Sequence, residues 1–335
     1  MRSIIFYFLA AVMLSGCHPD EATMPDFDVH TDQLAYAAGD SITFHLSGNA
    51  GAIVFYSGEP GKAYENRNRK SMPGVEKLVF QTSMQQGPVP PKPCPDSLLL
   101  LISTNLEGYD AEHINKATWT NITGRNSKWP KSLSTGFTTS DSIDISDFNK
   151  ADKVNIAFRV LNKKTGLTPQ RKWVIQSFSL YNYLPDSSST PLFTTFSNTG
   201  WVQASLLNDS EPGTAENKYT GFNAWNVGTW NISAADSARN SNGIPIRTGY
   251  PVTFNPGTNV NNEDNDDWLI TSSVDLKTTR PDVGVVIQNE VALRSAIYKY
   301  AFKKAGTYQV TFVATNNSLK DSKSQIKQLT LKILP

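Results

Sequence analysis

The feature that most limits what this chain can fold into is a β-sandwich cut in two. Residues 298–317 read "YKYAFKKAGTYQVTFVATNN", two strands around a turn at Gly306, with Tyr308, Val310 and Phe312 on one face. "SQIKQLTLKIL" follows as a last strand, in which Ile326, Leu329, Leu331 and Ile333 alternate imperfectly. Strands of this kind bury one face only against a second layer. No such layer is adjacent in sequence. The matching piece is "DFDVHTDQLAYAAGDSITFHLSGNAGAIVFY" at residues 26–56, where Gly39 and Asp40 make a turn and Ile42, Phe44 and Leu46 share a face. A long segment must therefore be inserted between strands of one sandwich.

Insertion at neighbouring strand ends costs little when the guest's own ends lie close together. The way in is "QQGPVPPKPCPDS", whose prolines 88, 90, 91, 93 and 95 hold the backbone extended and outside any sheet. The way out is near "TTRPDVG". The guest is also β-rich: "LLLLIST", "SDSIDISDF", "KVNIAFRVL", "KWVIQSFSLYNY" and "DDWLITSSVDL" are strand candidates. No heptads and no long run at helical period occur, so the expected fold is all-β.

The expected division is a signal peptide at 1–16, a tether at 17–25, the first half of the outer sandwich at 26–84 and a Pro-rich linker at 85–95. The inserted domain then takes 96–282 and the second half of the sandwich 283–335.

The N-terminus, "MRSIIFYFLAAVMLSGCHPDEAT", has one positive residue, Arg2, and an apolar run from Ile4 to Val12 too short for a stable span. Leu14-Ser15-Gly16-Cys17 resembles a bacterial lipobox, which implies lipidation of Cys17 as the first mature residue. Several acyl chains anchor durably where a single one does not. Taking Arg2 from the 31 Lys and Arg leaves 30, equal to the 30 Asp and Glu. No basic patch suggests nucleic acid, and membrane association is expected through the lipid alone. Cys94 is then the one remaining thiol, so no disulfide forms within a chain.

Several resemblances sharpen this. Residues 26–56 look like strands A to C of an immunoglobulin-like sandwich. "YAFKKAGTYQVTFVATN" resembles the closing half of PKD domains. "ATWTNITGRNSKWP", "SIDISDF", "KVNIAFRV" and "RKWVIQSFSL" resemble the latter half of jelly-roll anchor domains of Bacteroidetes surface proteins, while Gly200-Trp201 and "NNEDNDDWLITSSVDL" resemble the first half. The swapped order implies a circularly permuted jelly roll inside a PKD-like sandwich; the alternative is a plain extended sandwich with long loops. Together the pieces resemble the domain-of-unknown-function 5017 family of Bacteroidetes lipoproteins over nearly the whole mature chain. The most specific are the stretch from Asp26 through "SGEPGKAYENRNR", "ATWTNITGR" and "DDWLITSSVDL". That resemblance implies an outer-membrane protein near SusC/SusD-type glycan importers. Asp20 and Glu21, just after Cys17, resemble the signal that sends such lipoproteins to the outer face.

Three stretches are candidates for chemistry. In "NKYTGFNAWNVGTWN", with nearby Trp201, the rings of Tyr219, Phe222, Trp225 and Trp230 stand among Asn and Gly. Flat rings cover the apolar faces of sugars and amides satisfy the hydroxyls. Large aromatics also fill sandwich cores, as Trp173 and Trp268 are expected to do. In "NNEDNDDW", Glu263, Asp264, Asp266 and Asp267 offer hard oxygen ligands for a structural Ca2+, although the spacing is not that of an EF-hand. The bland reading is a solvated acidic loop leading into a strand. "SGEPGKAYENRNRK", residues 57–70, reads as a charged hairpin or a contact between domains.

The four histidines, His18, His30, His45 and His113, belong to no catalytic motif, and neither GxSxG nor a phosphate loop is present. A pair of carboxylates meeting in space would still make a glycosidase site. The expected function is non-catalytic glycan capture beside a SusC/SusD-type importer. The competing classes are an adhesion or structural protein and, further off, a glycoside hydrolase.

Overall fold

A computed structural model describes residues 21–89, 97–194, 196–207, 252–254, 256, 258–261, 263–291 and 294–335. The fold is all-β, and the chain divides into two units: residues 1–69 with 281–335, and residues 70–280. In chain order the strands of the outer unit begin with β1 (Phe27–Thr31), β2 (Ala35–Ala37), β3 (Ile42–Gly48) and β4 (Ala52–Tyr56). The inserted unit holds β5 (Val75–Gln86), β6 (Leu98–Ser103), β7 (Trp119–Asn121), β8 (Thr138–Thr139), β9 (Ile143–Asp144) and β10 (Asn155–Asn162). It continues with β11 (Lys172–Tyr183), β12 (Ser189–Phe193), β13 (Val202–Ser205), β14 (Val252–Phe254) and β15 (Asn265–Ile270). The outer unit closes with β16 (Val285–Gln288), β17 (Ile297–Tyr300), β18 (Gly306–Asn317) and β19 (Ser322–Leu334).

In the outer unit, the sheet β1-β3-β17 packs on the sheet β16-β4-β18-β19-β2. The alternation seen in the sequence does this directly: Ile42, Phe44 and Leu46 face Phe55, Val310 and Phe312 across one core. The rings of Phe44 and Phe55 lie 5.2 and 5.0 Å from that of Phe312. Each such ring contributes about 2–3 kcal/mol by burial alone. The imperfect alternation of the last strand is visible here. Leu329, Leu331 and Ile333 turn inward but Ile326 is on the opposite face, because an even residue in this strand points outward.

The inserted unit pairs the sheet β13-β15-β10-β6-β7 with the sheet β12-β11-β5-β8, to which β14 and β9 also add. Trp173, Phe80, Phe158 and Phe178 fill the space between them. The first of these sheets is buried on both sides. Its outer face, bearing Leu101, Ala157, Trp268 and Ile270, is covered by Leu106 and by Ile114 of the short helix α1 (Ala111–Lys116).

The division differs from the sequence boundaries of 84 and 96. β5 belongs to the inserted unit, because it runs antiparallel to β11 along its whole length. The Pro-rich stretch therefore joins β5 to β6 inside one unit and is not the way in. The crossing lies instead at 69–72 and 277–282, and its two strands are bonded to each other. Met72 donates its N–H to Lys277, and Thr279 donates its N–H to Lys70. The Asn182 amide donates to the carbonyls of both Met72 and Thr278, at 2.9 and 3.3 Å. In the outer unit, Arg69 pairs with the buried Asp282 at 2.9 Å, and Asp282 also accepts from the Ala63 N–H at 2.8 Å. Close ends of this kind are what makes an insertion tolerable.

Candidate functional site

The candidate site is on the outer face of the sheet built by β12, β11 and β5, and a bulge creates it. Early in β11, Trp173 and Ile175 point into the core. Ser177 then adopts a left-handed conformation with φ 51° and the register slips between Gln176 and Phe178. One extra residue reverses the side-chain parity. Phe178 and Leu180 now point inward, and Tyr181 and Tyr183 point out. If Ser177 sat in regular strand conformation instead of bulging, strict alternation from Trp173 and Ile175 would turn both tyrosines inward.

The two rings lie 6.1 Å apart with planes 32° from parallel. Tyr181 is opposite Lys77 and Tyr183 is opposite Val75 on β5, while Pro191 and Ser189 of β12 flank them on the other side. Asp144 of β9 stands across from Lys77. An open cavity of about 590 Å³ lies over this end of the face, lined by Val75, Lys77, Ser142, Tyr183, Leu184 and Pro185. Tyr183 is 46% exposed. The arrangement offers flat apolar rings beside an ammonium group, a hydroxyl and a carboxylate, which suits a ligand with both C–H faces and hydroxyls.

Directly behind this face is a buried polar plug. Glu76 of β5 points between the sheets opposite Asn182. Burial raises its pKa, and bonds from the Gly74 N–H and the Asn149 amide only partly oppose this. The Asn182 amide that faces Glu76 is the one tying the crossing segments together.

The sites expected from sequence fare differently. Tyr219, Phe222, Trp225, Trp230 and Cys17 lie outside the described residues, as does Cys94. Trp201 is not a platform. It is 4% exposed, and its ring meets Phe178 at 4.9 Å in the core of the inserted unit. Trp173 and Trp268 are buried, as their size implies.

The acidic stretch is not a converging ligand set. Glu263 pairs with Lys164 and Asp264 with Lys163, at 2.5 and 2.7 Å. Asp266 and Asp267 are already inside β15, on opposite faces. Asp266 accepts two bonds from the Arg159 guanidinium, at 2.7 and 2.6 Å, and that group also stacks 4.7 Å from the Trp268 ring centroid. Asp267 is fully buried on the inter-sheet side. Among the described residues, no group of three or more His, Cys, Asp or Glu is placed to hold a metal ion.

Of the charged stretch 57–70, residues 57–69 are tied down within the outer unit and Lys70 opens the inserted one. Glu59 accepts from the Tyr300 hydroxyl and from Ser57, and Arg67 stacks 3.8 Å from the Tyr64 ring centroid. His30 and His45 are stacked on the outer face of β1 and β3, 5.0 Å apart, while His113 bonds to Asp110 at the start of α1.

The fold and its exposed tyrosine face define an all-β protein with one sandwich inserted into another. The chain belongs to the family described as "Domain of unknown function (DUF5017)", which matches residues 16–201. The match ends inside the inserted unit, so it covers less than the sequence resemblance implied, and "DDWLITSSVDL" lies beyond it. No curated protein matches the chain.

Proposed function

We propose that this protein is a lipid-anchored protein of the outer-membrane surface that captures glycan without cleaving it and assists a SusC/SusD-type importer. The observation that carries the reading is the outward Tyr181–Tyr183 pair, held by the Ser177 bulge beside a cavity of about 590 Å³. Sheet faces carrying spaced aromatic rings and short polar groups hold sugar chains by stacking and hydrogen bonding. Anchoring through Cys17 raises the local concentration of captured chains near an importer. The charge balance supports this, since a neutral surface repels neither neutral nor acidic polymers.

The test is retention of the soluble form, beginning after Cys17, on plant, host and microbial polysaccharides, with products assayed in the same tubes. Retention on one polymer with no shortened products supports capture. Shortened products would replace capture with hydrolysis, and no retention on any polymer would turn the reading toward a protein partner. A parallel arm with EDTA shows whether a divalent cation takes part; loss of retention there would return calcium to the account.

A further inference from the structure

The outer unit has two distinct ends. At one, the β18–β19 hairpin turns at Ser318–Asp321, beside Asp26 and Gly48 of the first strands. At the other, the chain leaves at Arg69 and returns at Asp282, near Gly58, Gly61 and the start of β18. The ladder of β18 on β19, from Asn317–Ser322 to Gly306–Ile333, separates the ends by roughly 36 Å.

The N-terminal segment is fastened to the hairpin end. The Ala22 N–H donates to Asp321 at 2.7 Å, and the Asn316 amide donates to the Thr23 carbonyl at 3.2 Å. Only four residues lie between Cys17 and Ala22, and the five steps reach at most about 18 Å. A lipid on Cys17 therefore brings this end, and not the crossing end, to the bilayer.

At the apex of the same hairpin, Leu319 is 99% exposed, and Val291 in the neighbouring loop is 95% exposed. Tight turns favour Gly, Asn, Asp and Ser, so a leucine at the apex has no local reason to be there. The turn that presents it is firmly built, with Asp321 and Ser318 bonded to each other by side chain and backbone. Ala22, Leu319, Glu290 and Arg294 border one open cavity, and Asn317 bonds to Glu290 at 2.7 Å, so the exposed apolar groups and the tether share one surface. Arg294, Lys320 and Lys323 there stand against Glu21, Asp26, Glu290 and Asp321, so the end carries no excess of positive charge.

We infer that this end is a second membrane contact, in which Leu319 and Val291 enter the boundary between lipid headgroups and acyl chains and set the standing orientation of the outer unit. The inference rests on the lipid-anchor reading above. The occupant is a lipid bilayer, and the contact is apolar rather than electrostatic, given the lack of excess positive charge. It leaves the crossing end facing away from the membrane.

The experiment uses the full-length protein purified from membranes and reconstituted into phosphatidylethanolamine–phosphatidylcholine vesicles. A bimane probe is placed at Leu319→Cys in a Cys94→Ser background, and for comparison at Leu34→Cys. Leu34 is 59% exposed and lies beside Lys332 near the opposite end. Mass spectrometry of the N-terminal peptide reports the acyl chains. The expected result is an acylated Cys17, with emission at 319 shifted to the blue and lost to chain-brominated lipids, while emission at 34 is unchanged. Adding phosphatidylglycerol should leave that difference as it is. An acylated Cys17 with equal emission at both positions overturns the inference and leaves the anchor standing. A Cys17 without acyl chains overturns both.

Discussion

The two units are built from the same material and use it differently. The outer unit buries one face of each sheet around a single core, so its inward and outward residues alternate cleanly along β1 and β3. Among the described residues, the inserted unit covers one of its sheets on both sides, while the outer face of the other carries the half-buried Tyr181 and the exposed Tyr183 at one end. In β15 every residue is buried, including two aspartates. A sheet covered twice gives rigid support, and the open face on its partner is where a ligand can be met. On the glycan-capture proposal, the outer unit takes the part of a carrier and the inserted unit the part of a binder.

The largest effect expected is on the separateness of the cores. Phe158→Ala in the inserted unit and Phe312→Ala in the outer unit should each cost about 3–5 kcal/mol. Calorimetry should show each substitution lowering a different transition. A single transition lowered by both would contradict the division. Next in size is Asp266→Asn, which breaks the paired bonds to Arg159 under Trp268. A loss of about 2–3 kcal/mol is expected, confined to the inserted unit's transition, because the Arg159 side chain retains some solvent contact. Gly48→Ala tests the outer unit's hairpin end. Gly48 has φ 104°, and a Cβ there would lie 1.8 Å from the Asp26 carbonyl oxygen. A cost of about 1–3 kcal/mol should fall on the other transition.

The smallest effect concerns pH. Burial raises the Glu76 pKa above its ordinary value, so the folded state holds that proton more tightly than the unfolded chain does. Stability from this group is present below the ordinary carboxylate range and falls as pH rises through the raised folded pKa. Glu76→Gln should remove that slope. Melting temperatures of the two proteins should converge in acid, with the variant the more stable at neutral pH. A variant that is less stable at neutral pH would show that the charged form is favoured by its surroundings.

How much was legible in sequence follows the same contrast. The outer unit's split sandwich could be read because Ile42, Phe44 and Leu46 face one way and their neighbours the other. In the inserted unit the periodicity is weaker evidence. Asp266 and Asp267 looked like a ligand loop, since carboxylates seldom enter a buried strand unless paired, and the partner Arg159 is over a hundred residues away in sequence. Trp201 looked like a platform because nothing local tells a core ring from an exposed one. Tyr181 and Tyr183 were passed over for a physical reason: strict alternation from Trp173 places them inside, and only the left-handed Ser177 turns them out. With Lys172, Gln176, Ser179 and Asn182 in the same strand, nothing in the sequence singles out Ser177 as the bulge.

The central claim is that the open sheet face of the inserted unit is what holds the ligand. Its most direct test is affinity electrophoresis of the soluble form against whichever polysaccharide retains it, beside Tyr181→Ala, Tyr183→Ala and the double variant. Because these rings are on the solvent side of the sheet, melting should change little. The account predicts weakened retention in each single variant and none in the double, with unchanged thermal transitions. Full retention by a folded double variant would contradict it and place the binding surface elsewhere on the chain.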